Sequence, residues 1–484
     1  MKRKSLAVNS FFNIIYTLVN IIFPLITSMY TAHILMLDGV GKVARTQNAV
    51  SYFLEFAPLG IPVYGIREIA KVADNREQKN RLFSELIIIN GVSTLIAIFI
   101  YISMCLSIDY MKQNLALYLS SGLLLFFNLI NVDWLYKGEE EYAYIAFRNI
   151  FIKIIFLISM FFFVRNKSDY VIYALLSSLA GGGNYLFNVI HSKKFVKFTL
   201  DNLSFKRHLR PLFIILFGIF LSDIYGKVDV SMLGIMVSDE AVGNYTYAMK
   251  IITIAVTTCT AITSVYLPRL SVLYKTDSEK FLKLLESGER ILCFITFPMA
   301  VGLYMLSGKV VLLMFGDGFA GVIPVIHILI FMILIRGFGD LFCYRLLMSI
   351  GYEKVRLPST FLASLANVIL NFWMIPIIAE RGAAIASVIS EVIVCGYQYL
   401  AMSRKLGIHP RSKPFVQAII STVVMGIVVY LLNLIELPVI ISLFLSFSGG
   451  VCIYCIINIL MKNEFMFWLI EKSKLIVKRI KIVN

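Results

Sequence analysis

Nine ionisable residues stand inside stretches that are otherwise apolar: Asp133, Lys153, Asp223, Lys227, Asp229, Lys250, Arg336, Asp340 and Glu391. A charge at the centre of a lipid-facing helix costs about 2.5–3.5 kcal/mol. These groups must therefore face one another, water or a polar cargo. The deeper ones divide evenly by sign, with Lys153, Lys227, Lys250 and Arg336 basic and Asp223, Asp229, Asp340 and Glu391 acidic. Cations hold phosphate through charge-assisted hydrogen bonds, and carboxylates and amides bond sugar hydroxyls. Interleaved charge of both signs suits a large, anionic, hydroxyl-rich cargo better than a hydrophobic drug.

Spacing gives these groups partners. Asp223 and Lys227 are four apart, acid before base, and so are Arg336 and Asp340 in reverse order; both spacings predict pairs on one helix face. Asp229 lies off the first stripe, and Lys250 is expected at similar depth as a counter-charge. Arg45, Asn48, Tyr52 and Glu55 recur at i, i+3, i+7 and i+10, a continuous polar stripe. Such a stripe is either a seam between helices or a wall of a substrate path, and the spacing does not choose.

Enzyme and cofactor chemistry finds no footing. The nearest approach to a phosphate-binding loop runs from Gly302 to Gly308-Lys309-Val310, one residue too long and lacking the metal-binding hydroxyl. Seven cysteines, an odd count, all lie in apolar runs, so no disulfide framework is expected. The five histidines form no metal-ligand pair. No catalytic residue, metal or cofactor is expected. A net charge of +16 would suggest nucleic acid in a soluble domain, but the basic residues are spread over many short loops, and nucleic-acid binding is not expected.

The elements that position these residues are membrane spans. Hydrophobic residues make up 59% of the 484 and charged residues only 15%, with a mean hydropathy of +0.82. Apolar runs of spanning length fall near 11–34, 44–66, 82–105, 116–135, 144–164, 170–190, 212–237, 242–267, 291–315, 322–347, 358–378, 382–402, 415–434 and 438–461. Basic clusters precede the first run and follow the second, sixth, eighth, twelfth and last. The positive-inside rule then places both termini in the cytoplasm. The long polar connection 191–210 splits the first twelve spans into six plus six. Val40-Gly41 is echoed by Val242-Gly243, and Lys137-Gly138 by Ile350-Gly351. The expected fold is an all-α integral membrane protein of about fourteen helices. Two six-helix bundles, 1–205 and 206–413, are related by a parallel pseudo-two-fold repeat, and 414–484 adds two further helices and a basic tail. With no nucleotide motif, transport by ion gradient or membrane potential is the economical energy source.

Several stretches, in order along the chain, resemble the Wzx-type polysaccharide flippases of the multidrug/oligosaccharidyl-lipid/polysaccharide exporter superfamily. They are Gly60-Ile61-Pro62 with Gly65-Ile66-Arg67-Glu68, Asp133-Trp134-Leu135-Tyr136-Lys137-Gly138, and Asp229-Val230-Ser231-Met232-Leu233-Gly234 leading to Val242-Gly243-Asn244-Tyr245. Asn367 to Asn371, Arg381-Gly382-Ala383-Ala384 and Ser390-Glu391 complete the set. The resemblance implies a MATE-like fold with a central cavity. It implies translocation of an undecaprenyl-diphosphate-linked oligosaccharide repeat unit across the bacterial inner membrane, for O-antigen, capsule or a related glycan. Arg45, Lys153, Lys227, Lys250 and Arg336 would then contact phosphate or sugar. Asp223, Asp229 and Glu391 would be coupling or structural acids for a proton or sodium ion. Membrane lipids, a glycan polymerase and a chain-length regulator are the implied partners. A peptidoglycan-precursor lipid flippase and a drug/cation antiporter of the same superfamily are the alternatives within transport. An intramembrane glycan polymerase is disfavoured because the chain carries no large periplasmic loop.

Overall fold

The computed structural model describes the backbone of residues 6–483 and the side chains of residues 19, 22–220 and 226–474. The helices run α1 (Leu6–Phe56), α2 (Ile61–Lys71), α3 (Arg76–Ser107), α4 (Asp109–Gln113), α5 (Leu115–Asn128), α6 (Asp133–Gly138), α7 (Tyr142–Phe163), α8 (Tyr170–Ser192), α9 (Lys206–Met236) and α10 (Asp239–Thr263). They continue as α11 (Tyr266–Thr276), α12 (Ser278–Phe315), α13 (Val322–Leu329), α14 (Phe331–Gly339), a π-helical segment (Asp340–Arg345), α15 (Leu346–Ser349), α16 (Arg356–Leu406), α17 (Ser412–Asn433), α18 (Val439–Leu460) and α19 (Glu464–Val483).

Among the described residues, nine helical segments are long and apolar enough to cross a membrane. Two of them, 22–71 and 353–406, each hold two of the expected spans, and α5, α8 and α9 occupy the remaining positions. The all-α membrane architecture is borne out, with helices in the expected order. The side chains show why these are membrane helices. On α3, Val92, Leu95, Ile96, Phe99 and Ile100 are exposed, whereas Thr94, Ala97, Ile98, Tyr101 and Cys105 are buried. An apolar surface of that extent, with Phe99 exposed by 73%, is a lipid face.

The expected second span is displaced. α1 breaks at Met36, whose φ is 58°, with no loop there, and the following segment ends at Phe56 rather than near 66. Pro58 and Pro62 bracket a turn in which Leu59 and Gly60 take φ of 49° and 77°, so the chain restarts as the short α2. Spans eleven and twelve likewise meet at a break, Ile378–Ala379, just after Pro376.

The chain packs as two compact units, residues 1–243 and 244–484. α9, which the six-plus-six division gives to the second bundle, packs on α1 and α2 in the first unit. Gly41 permits a tight approach within that unit: a Cβ there would lie 1.8 Å from the Asp239 carbonyl oxygen. In the second unit α17 and α18 pack on each other and on α12. Lys309 of α12 pins them, its Nζ donating to Asn433 Oδ1 (2.6 Å) and Ser442 Oγ (2.5 Å).

Matching devices fix the two units. Asn75 and Asp277 cap α3 and α12, accepting from the backbone N–H of Gln78 (3.0 Å) and Lys280 (2.9 Å). Lys280, whose side chain and backbone both donate to Asp277, holds that carboxyl below the usual carboxylate range. One turn on, Glu77–Arg81 and Glu279–Lys283 pair at 2.5 Å each. Deeper in each helix a buried glutamate holds the connection that leads into α9 in the first unit and into α17 in the second. Glu85, with no exposed surface, accepts from the Ser204 backbone N–H (2.6 Å), Arg207 (2.5 Å) and the His208 ring (2.8 Å). Glu289, 3% exposed, accepts from the Arg411 backbone N–H at 2.6 Å.

Candidate functional site

In the first unit the stripe on α1 closes onto α9. Arg45 Nη1 lies 3.2 Å from Asp239 Oδ1, its guanidinium 3.5 Å from the Tyr110 ring centroid, and Tyr110 donates to Asp239 Oδ2 at 2.6 Å. Further along, Asn48 donates to the Lys227 carbonyl (3.1 Å) and Ser231 Oγ (2.8 Å). The Tyr52 hydroxyl meets the same Ser231 at 3.2 Å. Glu55 forms an ion pair with Lys227, whose ammonium also lies over the Tyr52 ring. All four stripe residues are thus engaged with α9 or with Asp239, which follows it. In this structure the stripe lies along the contact between α1 and α9.

Lys227 therefore has Glu55 as its partner on another helix. The expected i, i+4 acid, Asp223, has its side chain outside the described residues. Asp229 is fully buried. Lys153 of α7 is half-buried, its Nζ 4.7 Å from the Phe23 ring centroid.

In the second unit Arg336 donates to Glu391 Oε1 through Nε (2.8 Å) and Nη2 (2.5 Å). Asp340 instead takes Arg345 at 2.8 Å and the Thr263 hydroxyl. The helix from Arg336 to Asp340 is regular, the Asp340 N–H bonding to the Arg336 carbonyl, so the π turn accounts only for the Arg345 contact. Residues 340–345 form a π-helical turn, whose wider winding brings i and i+5 together. Sequence spacing read as ordinary helix could not show this.

Lys250 differs from the other cations. It is half-buried and lies 4.3 Å from the Tyr247 ring centroid, and it makes no ion pair among the described residues. The residues just after it on α10, Ile251, Ile254 and Thr258, line an apolar cavity of about 560 Å³ that α12, α17 and α18 complete through residues including Gly302, Met425 and Gly450. Lys250 is not itself in the wall; it precedes Ile251 directly and Ile254 by about one helical turn.

Two buried networks escaped the sequence reading. Arg148, 5% exposed, bonds Asp133 (3.1 Å), Asn184 (3.1 Å) and Asn188, and Asn188 also donates to Asp133. Asp133 and Arg148 were visible as charges in the sequence, but the asparagines that complete the set were not. The Glu85–His208–Tyr64 chain, with the Tyr64 hydroxyl 2.8 Å from His208 Nδ1, was signalled only by a lone glutamate in an apolar run. Among the described residues no cluster of three or more His, Cys, Asp or Glu could hold a metal ion.

Residues 6–274 match the model of the polysaccharide biosynthesis protein family. The chain belongs to that family. This agrees with the resemblance read from the sequence. One relative, from Escherichia coli (strain K12), carries the provisional name of an O-antigen transporter. It is 24% identical over 391 residues, which is 79% of this chain and 94% of the relative. Among solved structures, the lipid II flippase MurJ in an inward closed conformation aligns with a TM-score of 0.79 at 16% identity, over 94% of this chain and 99% of MurJ. A multidrug resistance MATE family transporter in an inward-facing conformation aligns with a TM-score of 0.60 at 16% identity, over 80% and 94%. At such identities the likeness is one of fold. The chain has the MurJ/MATE architecture and is a multi-pass membrane protein.

Proposed function

We propose that this protein is a flippase that carries an undecaprenyl-diphosphate-linked oligosaccharide across the bacterial inner membrane by alternating access, for O-antigen or a related polysaccharide. The observation that carries the proposal is that Lys250 lies on α10 about one helical turn before Ile254, which walls the 560 Å³ apolar cavity. A prenyl-diphosphate presents a long hydrocarbon joined to a compact anion. The cavity offers hydrocarbon contact, and Lys250 offers a cation not already committed to a carboxylate among the described residues. The family and the name of the Escherichia coli relative support the polysaccharide cargo.

Lys153 and Lys250 are the cations for phosphate or sugar. Arg45, Lys227 and Arg336, already paired to acids, serve the seams that must part and re-form when access alternates. Asp229, fully buried, is the acid for ion coupling. Both termini lie in the cytoplasm.

The test is to remove the protein from its native cell and measure which leaflet holds the lipid-linked glycan. Accumulation on the cytoplasmic leaflet is expected. Re-expression of Lys250→Arg should relieve it, and Lys250→Ala, inserted at normal abundance, should not. Relief by Lys250→Ala would refute the headgroup role, and absence of any accumulated lipid-linked glycan would refute the flippase.

A further inference from the structure

We propose that α11, α12 and α19 form a binding site for an anionic phospholipid of the cytoplasmic leaflet, of the phosphatidylglycerol class, separate from the cargo path. Two cavities, about 440 and 710 Å³, meet between these helices and share Arg269, Leu284 and Ser287 in their walls. The smaller is walled by aromatic surface from Tyr266, Phe465 and Trp468, with Arg290 beside them. The larger carries Lys280 and Lys283.

Charge and surface together select the ligand. Arg290, Lys280 and Lys283 each hold one acid, Glu464 (2.7 Å), Asp277 (2.8 Å) and Glu279 (2.5 Å), in exposed pairs that water and salt loosen. Arg269, common to both cavities and exposed, has no carboxylate within ion-pair reach among the described residues. A free anion would need only the cations. The aromatic and aliphatic wall beside Arg269 is what acyl chains and a glycerol backbone would cover.

The flanking helix fits a membrane surface. α19 exposes Phe467, Trp468 and Leu469 together with Lys472 and Lys474, and its sequence continues with Lys478, Arg479 and Lys481. Aromatic and basic residues interleaved on a helix lie in the headgroup layer and favour anionic lipid. The basic loops on this side are those the positive-inside rule assigns to the cytoplasm. The inference does not depend on which cargo is moved.

The experiment uses the full chain in nonionic detergent micelles and phosphatidylglycerol with brominated acyl chains, which quenches tryptophan at short range. Of the three tryptophans, only Trp468 borders the site. A saturable component of the quench should appear in the natural protein and be lost from Trp468→Phe, above the non-saturating background from the exposed Trp373. Unbrominated phosphatidylglycerol should displace the probe; phosphatidylcholine and inorganic phosphate should not. In the double variant Arg269→Gln/Arg290→Gln, with an unchanged melting temperature, binding should weaken at least about tenfold. Equal displacement by phosphatidylcholine would make this a nonspecific greasy groove. Displacement by millimolar phosphate would make it a free-anion site. Either result, or unaltered affinity in the double variant or an unaltered quench in Trp468→Phe, overturns the proposal.

Discussion

Lys227→Met removes the ammonium that pairs with Glu55 and leaves a carboxylate whose side chain is only 11% exposed. Two unit charges about 4 Å apart attract by about 4 kcal/mol at an effective dielectric of about 20 and by about 1 kcal/mol in water. Lys227 keeps 22% of its side-chain surface, so the loss lies between these limits, about 2–3 kcal/mol. For a unit of this size 1 kcal/mol moves the melting temperature by roughly 2–4 °C, so the variant should melt roughly 4–12 °C lower. Glu55→Leu should do similar damage by orphaning the lysine. Combining the two removes both charges, and the double variant should melt within about 2 °C of the natural protein. Scanning fluorimetry of purified protein in detergent supplies the stability, and leaflet-resolved glycan measurement supplies the transport. A seam that must open and close predicts that the double variant regains stability but not turnover. Full recovery of both would show that the pair is glue alone. An unchanged melting temperature in Lys227→Met would refute the electrostatic reasoning itself.

Gly302→Phe tests the apolar slot. A Cβ at this position would meet nothing within 4 Å, so the new ring enters the cavity without disturbing backbone, and transport should fall at least about tenfold at unchanged melting temperature. Normal turnover would show that the cavity is not used. Arg148→Ala orphans Asp133 and strips Asn184 and Asn188 of their donor, and should cost about 3–5 kcal/mol. A melting temperature within 2 °C of normal, on a scale of roughly 2–4 °C per kcal/mol, would show that water replaces the guanidinium there.

The order of the helices was legible in the sequence because bilayer-spanning helices announce themselves by length and apolar composition. The stripe Arg45-Asn48-Tyr52-Glu55 was legible as a face, since helical periodicity fixes direction, but its partner was not, since spacing is silent about what lies opposite. The same limit explains Lys227, for which Glu55 lies 172 positions away. Arg336 and Asp340 failed differently: the helix between them is regular, but each meets another partner, Glu391 on α16 and Arg345 across the π-helical turn. Breaks at Met36 and Ile378–Ala379 were hidden because a one- or two-residue kink leaves no polar loop to read.

The buried Glu85 bears on how the chain is made. Its partners arrive 119 to 123 residues later, at Ser204, Arg207 and His208. At a synthesis rate of about 5–20 residues per second, that carboxylate waits roughly 6–24 s in the insertion machinery before the first of them is made. Glu289 faces the same interval before Arg411, 122 residues on. Each unit is thus pinned at this point only when the connection leading into α9, or into α17, is translated.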